Sequence, residues 1–242
     1  MEAFPVDIQL FIQTLIWFGI VLTGLITSVP IGVTQTNFGG NCVLYGTFQW
    51  KNSSYFDYNF GPAATCHFIV YLHVFVSIVF ACGMGIYYSY ATYMSITKDK
   101  SIATHMWVMP FLLCNSVITA IIFITSCIVG VGFAQWCGGF LSGRDLGASI
   151  DGCASGQNMD IWGPTWNAHA PAGTSYFSGT FFNFMTVGQT ASWVAFLLWT
   201  AQTSFTGIRL YRNIKLRSAG DGFVGQDEFA DTANIGNTTP SA

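Results

Sequence analysis

Four of the seven cysteines in this 242-residue sequence fall in two long, comparatively polar stretches. Cys42 and Cys66 lie in the stretch 31–67, and Cys137 and Cys153 in the stretch 137–180. Thiols so placed form disulfides when their compartment is oxidising. Pairing within each stretch is the simplest connectivity, and pairing between the stretches stays open. A bond within either stretch stabilises the fold by about 3 kcal/mol in the chain-entropy picture. None of the four has the CxxC spacing of a structural zinc site, and no cofactor is expected. Cys82, Cys114 and Cys127 sit in apolar segments, where Cys82 and Cys114 read as small core hydrophobes.

Asn52-Ser53-Ser54 is an acceptor for N-glycosylation between the first pair of cysteines. Asn237-Thr238-Thr239 has the same pattern, in a tail expected to lie in the cytoplasm, and should stay bare. His67, His73 and His105 are too scattered for a metal cluster, and His73 reads as a core residue. The sequence holds no HExxH, P-loop or GxSxG motif. It does not read as an enzyme.

The elements that position these residues follow from composition. Hydrophobic residues make up 52% of the chain and charged residues only 8%, against about 25% in soluble domains. Four apolar stretches of membrane length carry no charge: about Ile8–Pro30, Phe68–Ile96, Thr104–Ala134 and Phe181–Ile208. About 20 helical residues cross a hydrocarbon core of ~30 Å. Barrel strands of about 10 alternating residues do not fit. The first stretch is read as a span and not a signal peptide, because Glu2 and Asp7 precede it without a basic residue. Pro110 falls in the first turns of the third span, where a bend is expected.

Eight basic residues give the orientation. Lys98 and Lys100 lie between the second and third spans, and Arg209, Arg212, Lys215 and Arg217 follow the fourth. The two long stretches hold only Lys51 and Arg144. Basic residues are retained on the cytoplasmic side. Both termini are therefore expected in the cytoplasm, and both cysteine pairs outside or in the lumen of the secretory pathway. The plasma membrane or another membrane of that pathway is the expected location. Domain organisation follows: residues 1–217 form the four-span domain, including extracellular loops 31–67 and 137–180, and 218–242 a disordered acidic cytoplasmic tail.

The run from Cys42 to Trp50 reads as a strand, with a hairpin turn near Asn52. Aromatic residues Phe48, Trp50, Tyr55, Phe56 and Tyr58 would pack on this sheet or at the bilayer interface. The second long loop carries Trp162, Trp166, Tyr176 and Phe177 and is a candidate partner-binding surface. The second span places Ser77, Ala81, Gly85 and Ser89 on one face at fourfold spacing, which permits close helix packing. Ser126, Gly130 and Ala134 form a shorter series, and Asn115 and Gln189 are expected to hydrogen-bond across helices. The predicted fold class is an all-α membrane protein: a four-helix transmembrane bundle with a small β-rich, disulfide-tied extracellular region.

Several motifs carry a family resemblance. They are Cys42-Val43-Leu44-Tyr45-Gly46, Phe60-Gly61-Pro62-Ala63-Ala64-Thr65-Cys66, the run Ser126 to Phe133 with Trp136-Cys137, and Ala191-Ser192-Trp193-Val194-Ala195. With these the chain resembles the transmembrane protein 179 family of four-span membrane proteins. More distantly its layout is similar to claudins, channel gamma subunits and clarins. Their Gly-Leu-Trp motif with two following cysteines is met here only by Leu44-Tyr45-Gly46, with Cys42 before it. The distant resemblance implies an auxiliary or scaffold role. The expected function is a non-catalytic accessory subunit that binds a larger integral membrane protein, such as a channel or receptor, in the lipid bilayer. The alternatives are a cell-adhesion or membrane-organising tetraspan protein and a channel or transporter component. No nucleic-acid partner is expected.

Overall fold

The computed structural model describes residues 6–53, 55–97, 108–158 and 179–235, with side chains described for 8–53, 55–97, 108–157 and 179–215. Helix α1 runs Val6–Asn37, strand β1 Cys42–Asn52 and strand β2 Tyr55–Gly61. Helices α2 (Ala63–Leu72) and α3 (Ala81–Thr97) are joined without a break by a π-helical segment, His73–Phe80. Helix α4 (Val108–Leu141) passes into a 3-10 turn at Ser142–Leu146. The short α5 (Ser155–Asn158) and the long α6 (Phe181–Ile235) complete the order. Among the described residues four segments are long and apolar enough to cross a membrane: Ile8–Asn37, Ala63–Thr97, Val108–Leu146 and Phe181–Lys215.

Helix α1 continues past Pro30, where the apolar stretch ends, to Asn37. It stops where glycine allows it to stop. Gly39 and Gly40 have φ of 64° and 86°. Their N–H groups bond back to Thr36 O at 3.0 Å and Gln35 O at 2.8 Å. This is the double cap of a left-handed helix end. At the other extreme, the α6 backbone is helical through Ile235, where a disordered tail from Ser218 is expected. Side chains beyond Lys215 are outside the described set. Lys98, Lys100, His105, the four aromatic residues of the second loop and Asn237 also lie outside the described residues.

The bundle buries polar residues among its apolar core and turns large apolar side chains outward, where a water-soluble helix bundle would carry polar ones. On α1 the buried face carries Gln13, Thr14, Thr27 and Ser28 beside Trp17 and Ile20. Its exposed face carries Phe11, Leu15, Phe18, Leu22 and Leu25. Lipid solvates the second set, and the first must find partners within the protein. Exposed tyrosines mark the two ends of the slab: Tyr71 at one end of the second span, Tyr90 and Tyr93 at the other. Tyr71 and Tyr90 lie about 30 Å apart at a rise of ~1.5 Å per residue, which matches a bilayer core with aromatic belts.

Helix α1 is central. It packs against the α2–α3 rod on one side and α6 on the other, and α6 packs against α4. Several interhelical polar bonds come from hydroxyls. Thr14 meets Thr92 at 3.3 Å, Thr119 meets Thr203 at 2.9 Å, and Ser126 donates to Ser192 O at 2.9 Å. Asn115, expected to bond across helices, is fully buried with neither amide atom partnered among the described residues. Gln189 lies against Gly130. Cys82 and Cys114, expected in the core, are exposed on the outer surface, where a polarisable thiol is compatible with lipid.

The stripe on the second span is used within the bundle. Ser77, Ala81 and Gly85 are buried, and Ser89 is half-buried with its hydroxyl on Gly85 O at 2.7 Å. A Cβ added at Gly24 of α1 would stand 2.7 Å from Ser77 Cβ. Gly24→Val is therefore expected to destabilise the protein by about 1–3 kcal/mol through overpacking. Gly83→Val, with nothing within 4 Å of its added Cβ, should leave the detergent melting midpoint near wild type.

Candidate functional site

The sheet end of the bundle gathers most of the residues the sequence singles out. Strand β1 pairs antiparallel with β2, with Phe48 opposite Tyr58 and Trp50 opposite Phe56. The register slips between Cys42 and Thr47. Tyr45 adopts φ of 63° within that slip, in the left-handed region. Gly46, also within the slip, lies under the Tyr58 ring, where no Cβ fits. Alternation puts Thr47, Gln49 and Lys51 on the exposed face of β1 and Phe48 and Trp50 on the other. Lys51 and Asp57 pair across the exposed face at 3.5 Å. Such an exposed ion pair contributes little to stability.

Two disulfides frame this sheet. Cys42–Cys66 ties the start of β1 to α2, with Cα atoms 5.6 Å apart. Cys137–Cys153 ties the last turns of α4 to the returning chain, with Cα atoms 5.5 Å apart. Cys137 therefore lies on a helix and not in the loop expected to begin there. Arg144 adds a clasp, donating from Nε to Ile150 O at 2.6 Å and from Nη2 to Asp151 O.

The inner face of the sheet lies on α4, and glycines make the contact possible. Gly132, Gly139 and Gly143 share a face of the helix and its 3-10 extension. Added Cβ atoms would meet the Tyr45 ring at 2.8 Å and the Phe48 ring at 3.1 Å, and Gly143 lies under the Trp50 indole. The Trp50 indole N–H donates to Gly139 O at 3.1 Å. Trp136 fills the centre, wholly buried. Its ring is 4.6 Å from Phe181, 5.4 Å from Phe140 and 5.6 Å from Phe48. Tyr58 donates to Val43 O at 3.1 Å. Burial raises the Tyr58 phenol above its ordinary range, partly offset by the Trp136 side chain.

This glycine face escaped the sequence reading, which followed the series through Gly130 instead. Gly130 lies against α6, near Gln189 and Trp193. The missed signal was present: three glycines at helical spacing around a tryptophan. Asn52 ends β1 at the hairpin tip and is exposed. His73 is fully buried in the π segment, 3.3 Å from Ser77 Oγ through Nδ1. Among the described residues no three His, Cys, Asp or Glu side chains converge as metal ligands. Near the sheet end, a groove of about 470 Å³ runs between α1 and the second span, lined by Val29, Val33, Val70 and Val74 with Thr36 and Asn37 at its α1 end.

A clamped hairpin over a four-helix bundle invites comparison with known proteins. The family model described as the transmembrane protein 179/179B claudin domain matches residues 9–233. The chain belongs to this family. Transmembrane protein 179B of Danio rerio is 23% identical over 210 residues, which is 86% of this chain and 87% of that protein. Transmembrane protein 179B of Mus musculus is 22% identical over 188 residues, 78% of this chain and 77% of that protein. No solved structure matches the chain. The 179/179B claudin-domain family match takes in all four spans and both disulfides, so this is a multi-pass membrane protein of that family.

Proposed function

We propose that this protein is a non-catalytic accessory subunit that binds a larger integral membrane protein through its sheet end. The observation that carries the reading is the pinning of the hairpin at two points along β1. A disulfide holds it to α2, and the Trp50 and Phe48 rings hold it to α4. A surface held rigid before binding loses little entropy when a partner docks. Its polar face offers Gln49, Lys51 and Asp57, and the groove between α1 and the second span offers Val29, Val33, Val70 and Val74 to a partner's transmembrane helix. The reading does not use the small-residue stripe of the second span, because Ser77 and Gly85 lie against α1. Purification from native tissue in mild detergent should recover one partner at fixed stoichiometry, and its absence would count against the proposal.

The exposed polar face of the hairpin also suits a second reading, adhesion between cells. Adhesion predicts aggregation of cells that express the protein, with the partner in the opposing membrane.

We further propose that the sheet end faces the lumen or the outside, with both termini cytoplasmic. The hairpin tip then exposes Asn52 to glycosylation. Glycosidase treatment should lower the apparent mass of wild type and leave Asn52→Gln unchanged. An unmodified wild-type protein from a secretory cell would contradict this orientation.

A further inference from the structure

The far half of the bundle, away from the sheet, has a core of another kind. Gln13, Asn115 and Gln202 are each 0% exposed, and neither amide atom of any of them has a hydrogen-bond partner among the described residues. Their depths follow from their neighbours. Gln9 donates to Phe205 O at 3.1 Å, and two turns along α1 the Trp17 ring lies 5.4 Å from Trp199. Gln13 sits midway between these contacts on α1, and Gln202 midway between Phe205 and Trp199 on α6. Asn115 is one turn from Thr119, whose hydroxyl meets Thr203 at 2.9 Å. Three helices thus bring their carboxamides to within about one turn of the same depth.

The indole N–H groups of Trp17 and Trp199, on the adjoining turn, also lack partners among the described residues. Stranded polar groups are unfavourable at membrane depth, where no bulk solvent reaches them. Mutual pairing does not complete the set. The N–H groups of three carboxamides and two indoles outnumber the lone pairs on three amide oxygens. Water both donates and accepts, and full enclosure limits a guest to that size. We infer that Gln13, Asn115 and Gln202 form a buried hydration site, turning their amide groups to hold a small cluster of water molecules. An aromatic plate bounds it on the sheet side: Trp17 against Phe80 at 6.1 Å, and Phe80 stacked on Trp199 at 6.3 Å.

Radiolytic hydroxyl labelling tests this on the full chain in lipid nanodiscs, because bound water generates radicals beside buried side chains. Trp136 is the internal standard: the same residue type, equally buried, in an aromatic cluster. Trp17 and Trp199 should be oxidised several-fold faster than Trp136. Combining Gln13→Leu with Gln202→Leu should bring them down to the Trp136 rate, with Trp136 unchanged as proof of folding. If that double variant does not fold, Asn115→Leu alone should lower both rates. Trp17 and Trp199 labelled no faster than Trp136 in wild type, or unaffected in a folded variant, would overturn the inference.

Discussion

Trp136→Ala lowers the melting midpoint of the detergent-solubilised protein by about 10 °C or more, the largest drop expected from a single core truncation. Truncating a fully buried tryptophan costs about 3–5 kcal/mol, and each kcal/mol shifts the midpoint of a chain of this size by about 2–4 °C. The cost falls at the high end here for a structural reason. Trp136 touches a strand residue (Phe48), its own helix (Phe140) and the start of α6 (Phe181). A void at this junction cannot be closed by moving one element, because two disulfides and the glycine contacts of α4 fix the others. Phe75→Ala is the control. Phe75 is 64% exposed on the outer surface, where lipid fills the space it leaves. A shift at Trp136 no larger than at Phe75 would show that the sheet end is not the stabilising core.

The second large effect is loss of the Cys42–Cys66 bond. Cys42→Ser should destabilise the native state by about 3 kcal/mol, within the usual range for disulfide removal. Cys66→Ser and the double replacement should match it, since one bond is lost only once. Cys42 is wholly buried, so its replacement also encloses a hydroxyl. Breaking Cys137–Cys153 should be milder. That bond closes a shorter loop, 16 residues apart against 24, and Arg144 clasps the same turn independently. Alkylation after denaturation without reduction gives a direct count. The native protein should label at Cys82, Cys114 and Cys127 alone, and Cys42→Ser should add a label at Cys66. A Cys42→Ser protein as stable as wild type would show that the aromatic contacts suffice to hold the hairpin.

The two experiments probe different physics at one place. The disulfide limits the unfolded chain, and the tryptophan fills the folded core. Both bear on the proposed accessory role, because a hairpin that loosens should lose its partner before the bundle unfolds.

By itself the sequence determined the features that follow from composition and local pattern. Four charge-free apolar stretches required four spanning helices, because backbone polar groups in lipid are satisfied only within helices or closed barrels. The β-branched and aromatic run from Cys42 to Trp50 and the turn near Asn52 pointed to a hairpin. The motifs around Cys42, Cys66 and Trp136 were enough to reach the family. What only the tertiary structure decided was which face of each helix turns inward. In a membrane, apolar residues are acceptable on either face, so hydrophobic periodicity carries little information about direction. Cys82 and Cys114 therefore turned out to face lipid, and the stripe on the second span met α1. The polar residues that escaped notice were single glutamines, Gln13 and Gln202, one on each of two helices distant in sequence. Their meaning appears only when antiparallel packing brings them to one depth. The glycine face of α4 was written in the sequence, but only the hairpin lying against it shows what the missing side chains make room for.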